Sequence, residues 1–129
     1  MSTLKKFTME YGVRTSPKLL YTAISTPEGL SRWFADQVIQ EADDLFHFHW
    51  EGSAQKARML KFKENEFIQF LWLDEGVDQG HMWEMEIVND PLSGTVALIV
   101  TDHAEAADLD FSQRIWDAQV NKLQRLFSA

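Results

Sequence analysis

The order of residues predicts an α+β fold: a curved antiparallel sheet of about seven strands, two short helices after the first strand, and one long C-terminal helix. Three observations predict it. Apolar side chains alternate with polar ones in seven separate stretches, as half-buried strands require. The breaks between the last six stretches are turn-like and mostly short, which favours antiparallel hairpins. The chain then closes on one stretch with helical spacing instead.

Phe7, Met9, Tyr11 and Val13 alternate with polar neighbours and make the first strand. Ser16-Pro17 offers an N-cap followed by a proline at the first helical position. Leu19, Leu20, Ala23 and Ile24 follow at helical spacing. Thr26-Pro27-Glu28 repeats that cap chemistry, and Leu30, Trp33 and Phe34 share one face of a second short helix. Strands are expected near Gln37–Glu41, Leu45–Glu51, Ala54–Lys63, Phe67–Leu73, His81–Val88 and Thr95–Thr101. A final helix is expected over about Leu109 to Phe127, with Trp116, Val120, Leu123 and Phe127 on one face. Such a helix covers one face of the sheet, because its apolar stripe needs a partner. The helix pair separates the first and second strands, which need not be neighbours.

A length of 129 residues fits one domain, residues 1–129, able to bury a real core without staples. There is no cysteine, which excludes a disulfide scaffold, a thiol nucleophile and any cysteine metal site. The net charge of −8 argues against nucleic acid as a partner, since that needs clustered Lys and Arg. It also argues against an anionic membrane surface. No segment approaches the roughly 20 apolar residues of a membrane span, and the N-terminus lacks the apolar run of a signal peptide. A cytoplasmic protein is expected, with no membrane insertion and no cofactor.

Three strand faces carry the largest side chains: Phe46, Phe48 and Trp50 on one, Ile68, Phe70 and Trp72 on another, Trp83, Met85 and Ile87 on a third. Turned inward together, they form a lining suited to a flat or greasy ligand. The competing reading is that these rings fill the core and leave no cavity. Trp116 closes the site from the final helix, while Trp33 and Phe34 either line its mouth or lock the short helices to the sheet.

Other groups have weaker signals. Lys56 and Arg58 share parity with Leu60 and Phe62, so either a bulge flips the register or a basic group points inward. An inward Arg58 would anchor a carboxylate; a strand end reaching solvent is the favoured reading. His47, His49 and Glu51 share parity on a strand, which is chemically sufficient for zinc but fits an exposed polar face better. His81 and His103 are the candidates for acid–base chemistry. Placed on a strand, adjacent Asp102 and His103 would point to opposite faces, which makes them a poor dyad. The acidic stretch Asp74 to Asp78 reads as a solvated loop, with cation binding or gating as its alternative.

The sequence resembles the START-like superfamily, which includes birch pollen allergens and polyketide cyclases, and within it the homologues of the heat-shock-protein ATPase activator. The resemblance rests on Ala23, the Thr26-Pro27-Glu28 turn, Leu30-Ser31-Arg32-Trp33-Phe34, the aromatic strand Phe46 to Gly52, the strand ending in Trp72, and Trp116 ahead of Leu123 and Leu126. It covers essentially the whole chain, and the stretch from Asp102 to Asp110 departs from the family pattern. It implies a helix-grip fold. It also implies a range of roles: hydrophobic-ligand carrier, cyclase or dehydratase, or chaperone co-factor. The expected function is non-enzymatic binding of a small hydrophobic molecule through Trp33, Phe34, Phe46, Phe48, Trp50, Phe70, Trp72, Trp83, Met85 and Trp116. The alternatives are a protein-interaction module, signalled by an exposed apolar patch at Trp33 and Phe34, or an enzyme using His81 or His103. A protein partner and a homodimer stay open.

Overall fold

In the computed structural model, which describes residues 4–73 and 81–128, the chain runs through eleven elements. They are β1 (Leu4–Val13), α1 (Pro17–Ser25), α2 (Pro27–Leu30), β2 (Gln37–Ala42), β3 (Leu45–Trp50), β4 (Ser53–Lys63), β5 (Phe67–Trp72), β6 (Met82–Asn89), β7 (Val96–Glu105), a single 3₁₀ turn (Ala106–Asp108) and α3 (Leu109–Leu126). The strands form one antiparallel curved sheet in the order β1-β7-β6-β5-β4-β3-β2. Strands β1 and β2 therefore stand at opposite edges, and the two short helices carry the chain between them.

The helix starts form as their cap residues dictate. Ser16 Oγ accepts from the Leu19 N–H at 3.2 Å, and Thr26 Oγ1 accepts from the Gly29 N–H at 3.0 Å. Thr26 also closes α1, donating its own N–H to the Thr22 carbonyl. The two helices meet closely there. A Cβ on Gly29 would lie 2.3 Å from the Thr22 carbonyl oxygen and 2.7 Å from Ala23 Cα, so only glycine fits.

Helix α1 packs on β5 and β6, and α3 on β1 and β7. Trp116, Val120 and Leu123 form the buried stripe of α3. They meet the inner sheet face, where Phe46, Phe48, Ala57, Ile68, Phe70, Trp83, Met85, Leu98 and Val100 are buried.

Two details of the sheet differ from expectation or settle an open choice. Strand β7 was expected to stop at Thr101 but continues to Glu105. The reason is backbone pairing: β1 begins at Leu4 and pairs along the whole stretch, with Phe7 opposite Asp102 and Leu4 opposite Glu105. Asp102 thereby joins the inward series Val96, Leu98, Val100, Asp102, Ala104. In β4 a bulge between Met59 and Lys61 shifts the register. Ala57 and Met59 face inward before it, and Phe62 pairs with inward Ile68 after it. Arg58 consequently points outward and binds Asp44 at 2.7 Å.

Candidate functional site

Between the inner sheet face and the first half of α3 lies a groove of about 640 Å³. Its rings are Phe34, Trp50, Trp72 and Trp116; its polar side chains include Gln55, His81, Asp102 and Gln119. Each is placed by an ordinary local rule. Trp50 and Trp72 are the last residues of β3 and β5, in phase with the inward positions before them. Trp116 opens the buried stripe of α3. Phe34 follows α2 and sits at the centre, with its ring centroid 5.0 Å from Trp83, 5.3 Å from Phe48 and 5.6 Å from Trp116. The Phe34 carbonyl holds the site together, accepting from Trp50 Nε1 and from Gln119 Nε2, each at 2.9 Å. One backbone oxygen thus ties the helix pair to β3 and to α3.

At one end of the groove sits Asp102, only 8% exposed. A buried carboxylate costs several kcal/mol unless donors surround it, and here three do. His81 Nε2 lies 3.0 Å from Oδ1, the His103 backbone N–H donates to the same oxygen at 2.7 Å, and Trp116 Nε1 donates to Oδ2 at 2.8 Å. A carboxylate only accepts, so Nε2 of His81 carries the proton of that bond. The cluster fixes the Trp116 indole and the His81 ring in one orientation.

The site residues predicted from sequence divide into two sets. Phe34, Trp50, Trp72 and Trp116 line the groove, and His81 and His103 join them. Phe46, Phe48, Phe70, Trp83 and Met85 do not; they are sealed in the core. Trp83 is their hub and forms the layer behind the groove, stacked on Phe70 at 4.5 Å and Trp72 at 5.2 Å. Trp33 is buried at 2% exposure and donates from Nε1 to the Ala23 carbonyl at 2.9 Å. It satisfies a free carbonyl at the C-terminal end of α1 and so locks the helix pair. The exposed apolar patch at Trp33 and Phe34 that would signal a protein-interaction module is not formed, because both rings are buried.

His103 turns away from Asp102, and its Nδ1 contacts the Met82 carbonyl at 2.7 Å. The partner of Asp102 is His81, from β6's entry. On the outer face, His47 Nδ1 pairs with Glu41 Oε1 at 2.9 Å, and the His47 and His49 rings lie 4.3 Å apart. Glu51 lies outside β3, in the turn after Trp50, so the three-residue strand face expected of His47, His49 and Glu51 is interrupted. Among the described residues no group of three or more His, Asp or Glu side chains is placed to hold a metal ion. The acidic stretch Asp74 to Asp78 lies outside the described residues.

Sequence reasoning weighed Asp102 only as a partner of His103 and missed its inward place beside His81 and Trp116. Its signal was present: the inward alternation of Val96, Leu98 and Val100, carried two residues further, lands on it. A charged residue in an apolar period reads as the end of a strand unless its pairing partner is known.

Among the described residues no helix is long and apolar enough to cross a membrane. No curated protein matches the chain. A Bacteroides fragilis protein, known from a solution NMR structure, is 35% identical over 98% of this chain and 92% of its own, with a TM-score of 0.66. The Aha1 dimer from Colwellia psychrerythraea superposes with a TM-score of 0.83 at 14% identity, covering 95% of this chain and 96% of that one. CalU16 from Micromonospora echinospora gives 0.75 at 12% identity, over 98% of this chain and 82% of its own. At such identities the last two are similar in fold alone. The profile of the START-like superfamily domain matches residues 1–129, and with the sheet wrapped on α3 as described, the chain belongs to that superfamily.

Proposed function

We propose that this protein binds a small, mainly apolar molecule in the groove between the sheet and α3. The observation that carries the reading is the groove itself: about 640 Å³ walled by four aromatic rings, two of them at strand ends that leave the ring half-buried. Half-buried indoles at a concave site have apolar area still to cover. Each further Å² of apolar surface removed from water contributes roughly 25 cal/mol. The polar cluster at one end gives orientation rather than affinity. With Phe34 and Trp33 buried, the surface feature that would favour a protein-interaction module at that position is missing.

The test is native mass spectrometry of the protein purified from its own host, followed by denaturing release, with tryptophan fluorescence as the second readout. Three of the five tryptophans line the groove, so occupancy changes their emission. A co-purifying apolar molecule that is lost in Trp72→Ala supports the reading. A bare mass, together with emission unchanged by host lipid extract, overturns it.

A further inference from the structure

The polar end of the groove limits what head group a ligand can carry; this inference rests on the binding role proposed above and narrows it. The charged side chains of the lining are Asp102, Glu105 and Asp108, and among the described residues none of the lining is Lys or Arg. A carboxylate or phosphate head would meet like charge with no cation to receive it, and like-charge contacts work against binding. Glu105 and Asp108 are exposed at the rim, and the hydrogen-bonding capacity that remains deeper in the groove is neutral. Nε2 of His81 is committed to Asp102, which leaves Nδ1, a lone-pair acceptor in the neutral ring and without a partner among the described residues. Gln55 lines the same groove with its side-chain amide equally unpartnered among the described residues, and an amide both donates and accepts.

We propose that the groove selects an uncharged ligand whose apolar body carries a hydroxyl group, donating to His81 Nδ1 with Gln55 as the second polar contact, and that it rejects anionic amphiphiles such as fatty acids. Asp102 is then a positioning residue. It accepts the His81 proton on Nε2 and so presents Nδ1 as the acceptor. A hydroxyl matches this pair because it donates and accepts at once; a site built to hydrogen-bond a hydroxyl discriminates against analogues lacking it.

The experiment titrates the full ¹⁵N-labelled chain with three probes of similar shape: para-tert-butylphenol, tert-butylbenzene and para-tert-butylbenzoate. The readout is the set of indole N–H signals, which also reports that each variant is folded. The phenol is expected to bind about tenfold tighter than either other probe, the value of one net hydrogen bond. His81→Phe should abolish that preference, and Gln55→Leu should reduce it. Equal binding of all three, a preference for the benzoate, or a phenol preference that survives both substitutions would overturn the inference while the groove reading stands. If His81→Phe loses its indole dispersion, Gln55→Leu carries the test alone. Failure of every probe to move the groove tryptophans would overturn the groove reading, and this inference with it.

Discussion

The inner face of the sheet has two ends built from the same residue types. On the strands that α1 covers, Ile68 and Phe70 of β5 and Met85 of β6 are sealed, none of them exposed. Under the start of α3, Trp50 and Trp72 continue the same strand faces but stay half-buried around a groove. The difference teaches that an aromatic inward pattern does not by itself make a cavity. What decides is the covering layer. Helix α1 packs onto β5 and β6 and closes one end, whereas the polar cluster of Asp102, His81 and Trp116 occupies the other. An apolar filling there would leave the carboxylate without donors.

The largest expected effect comes from breaking the sealed end. Phe70→Ala should cost about 3–5 kcal/mol, read from the urea midpoint, because a fully buried ring leaves a cavity that the neighbours cannot fill. Trp72→Ala, one inward position further along β5, should cost clearly less despite the larger side chain, since part of that ring already meets solvent. Equal losses would mean that the groove end is as tightly packed as the sealed one.

Gly29→Ala sharpens the account of the cover. The new Cβ would meet backbone rather than a flexible side chain, so the α1–α2 junction must open, at about 1–3 kcal/mol. A smaller loss, with Trp33 emission unchanged, would show that the helix pair yields freely. Asp102→Asn removes a charged acceptor and should cost roughly 1.5–3 kcal/mol. It should also shift the Trp116 indole N–H signal, which donates to that carboxylate. An unmoved signal would contradict the role assigned to the cluster.

The smallest effect is at the edge, where Tyr11 in β1 donates to Asp117 in α3 at 2.6 Å. Burial first, then this hydrogen bond and the charge of Asp117, raise the phenol above its ordinary value of 10.0. A group that loses its proton later in the folded chain than in the unfolded one contributes fully below the ordinary value. That contribution is lost as pH climbs through the raised one. Denaturant midpoints should therefore fall as pH is taken above about 10. Tyr11→Phe should flatten that fall only in part, because burial also raises Tyr21. An unchanged slope in the variant would place the alkaline sensitivity elsewhere.

Much of this was legible in the residue order because it depends on near neighbours. Ser16-Pro17 and Thr26-Pro27 start helices where their cap chemistry says, and period-two alternation locates the strands. The pairing of Trp33 with the helix junction was one of two readings left open by its spacing. The bulge in β4 was likewise one of the alternatives, raised by the parity clash of Arg58 with Leu60 and Phe62. The family, too, could be recognised from Leu30 to Phe34 and the aromatic strand.

What only the tertiary structure decided is which inward rings touch solvent, and where Asp102 points. Burial at Phe48 and exposure at Trp50 come from helices distant in sequence, and local pattern carries no information about distance between non-neighbours. Asp102 lies inside because β1 extends to pair with it, and it is tolerated there because His81, Trp116 and its own neighbour's N–H converge on it. Polarity alone would have placed that carboxylate in water; backbone pairing and three donors hold it in the wall of the groove.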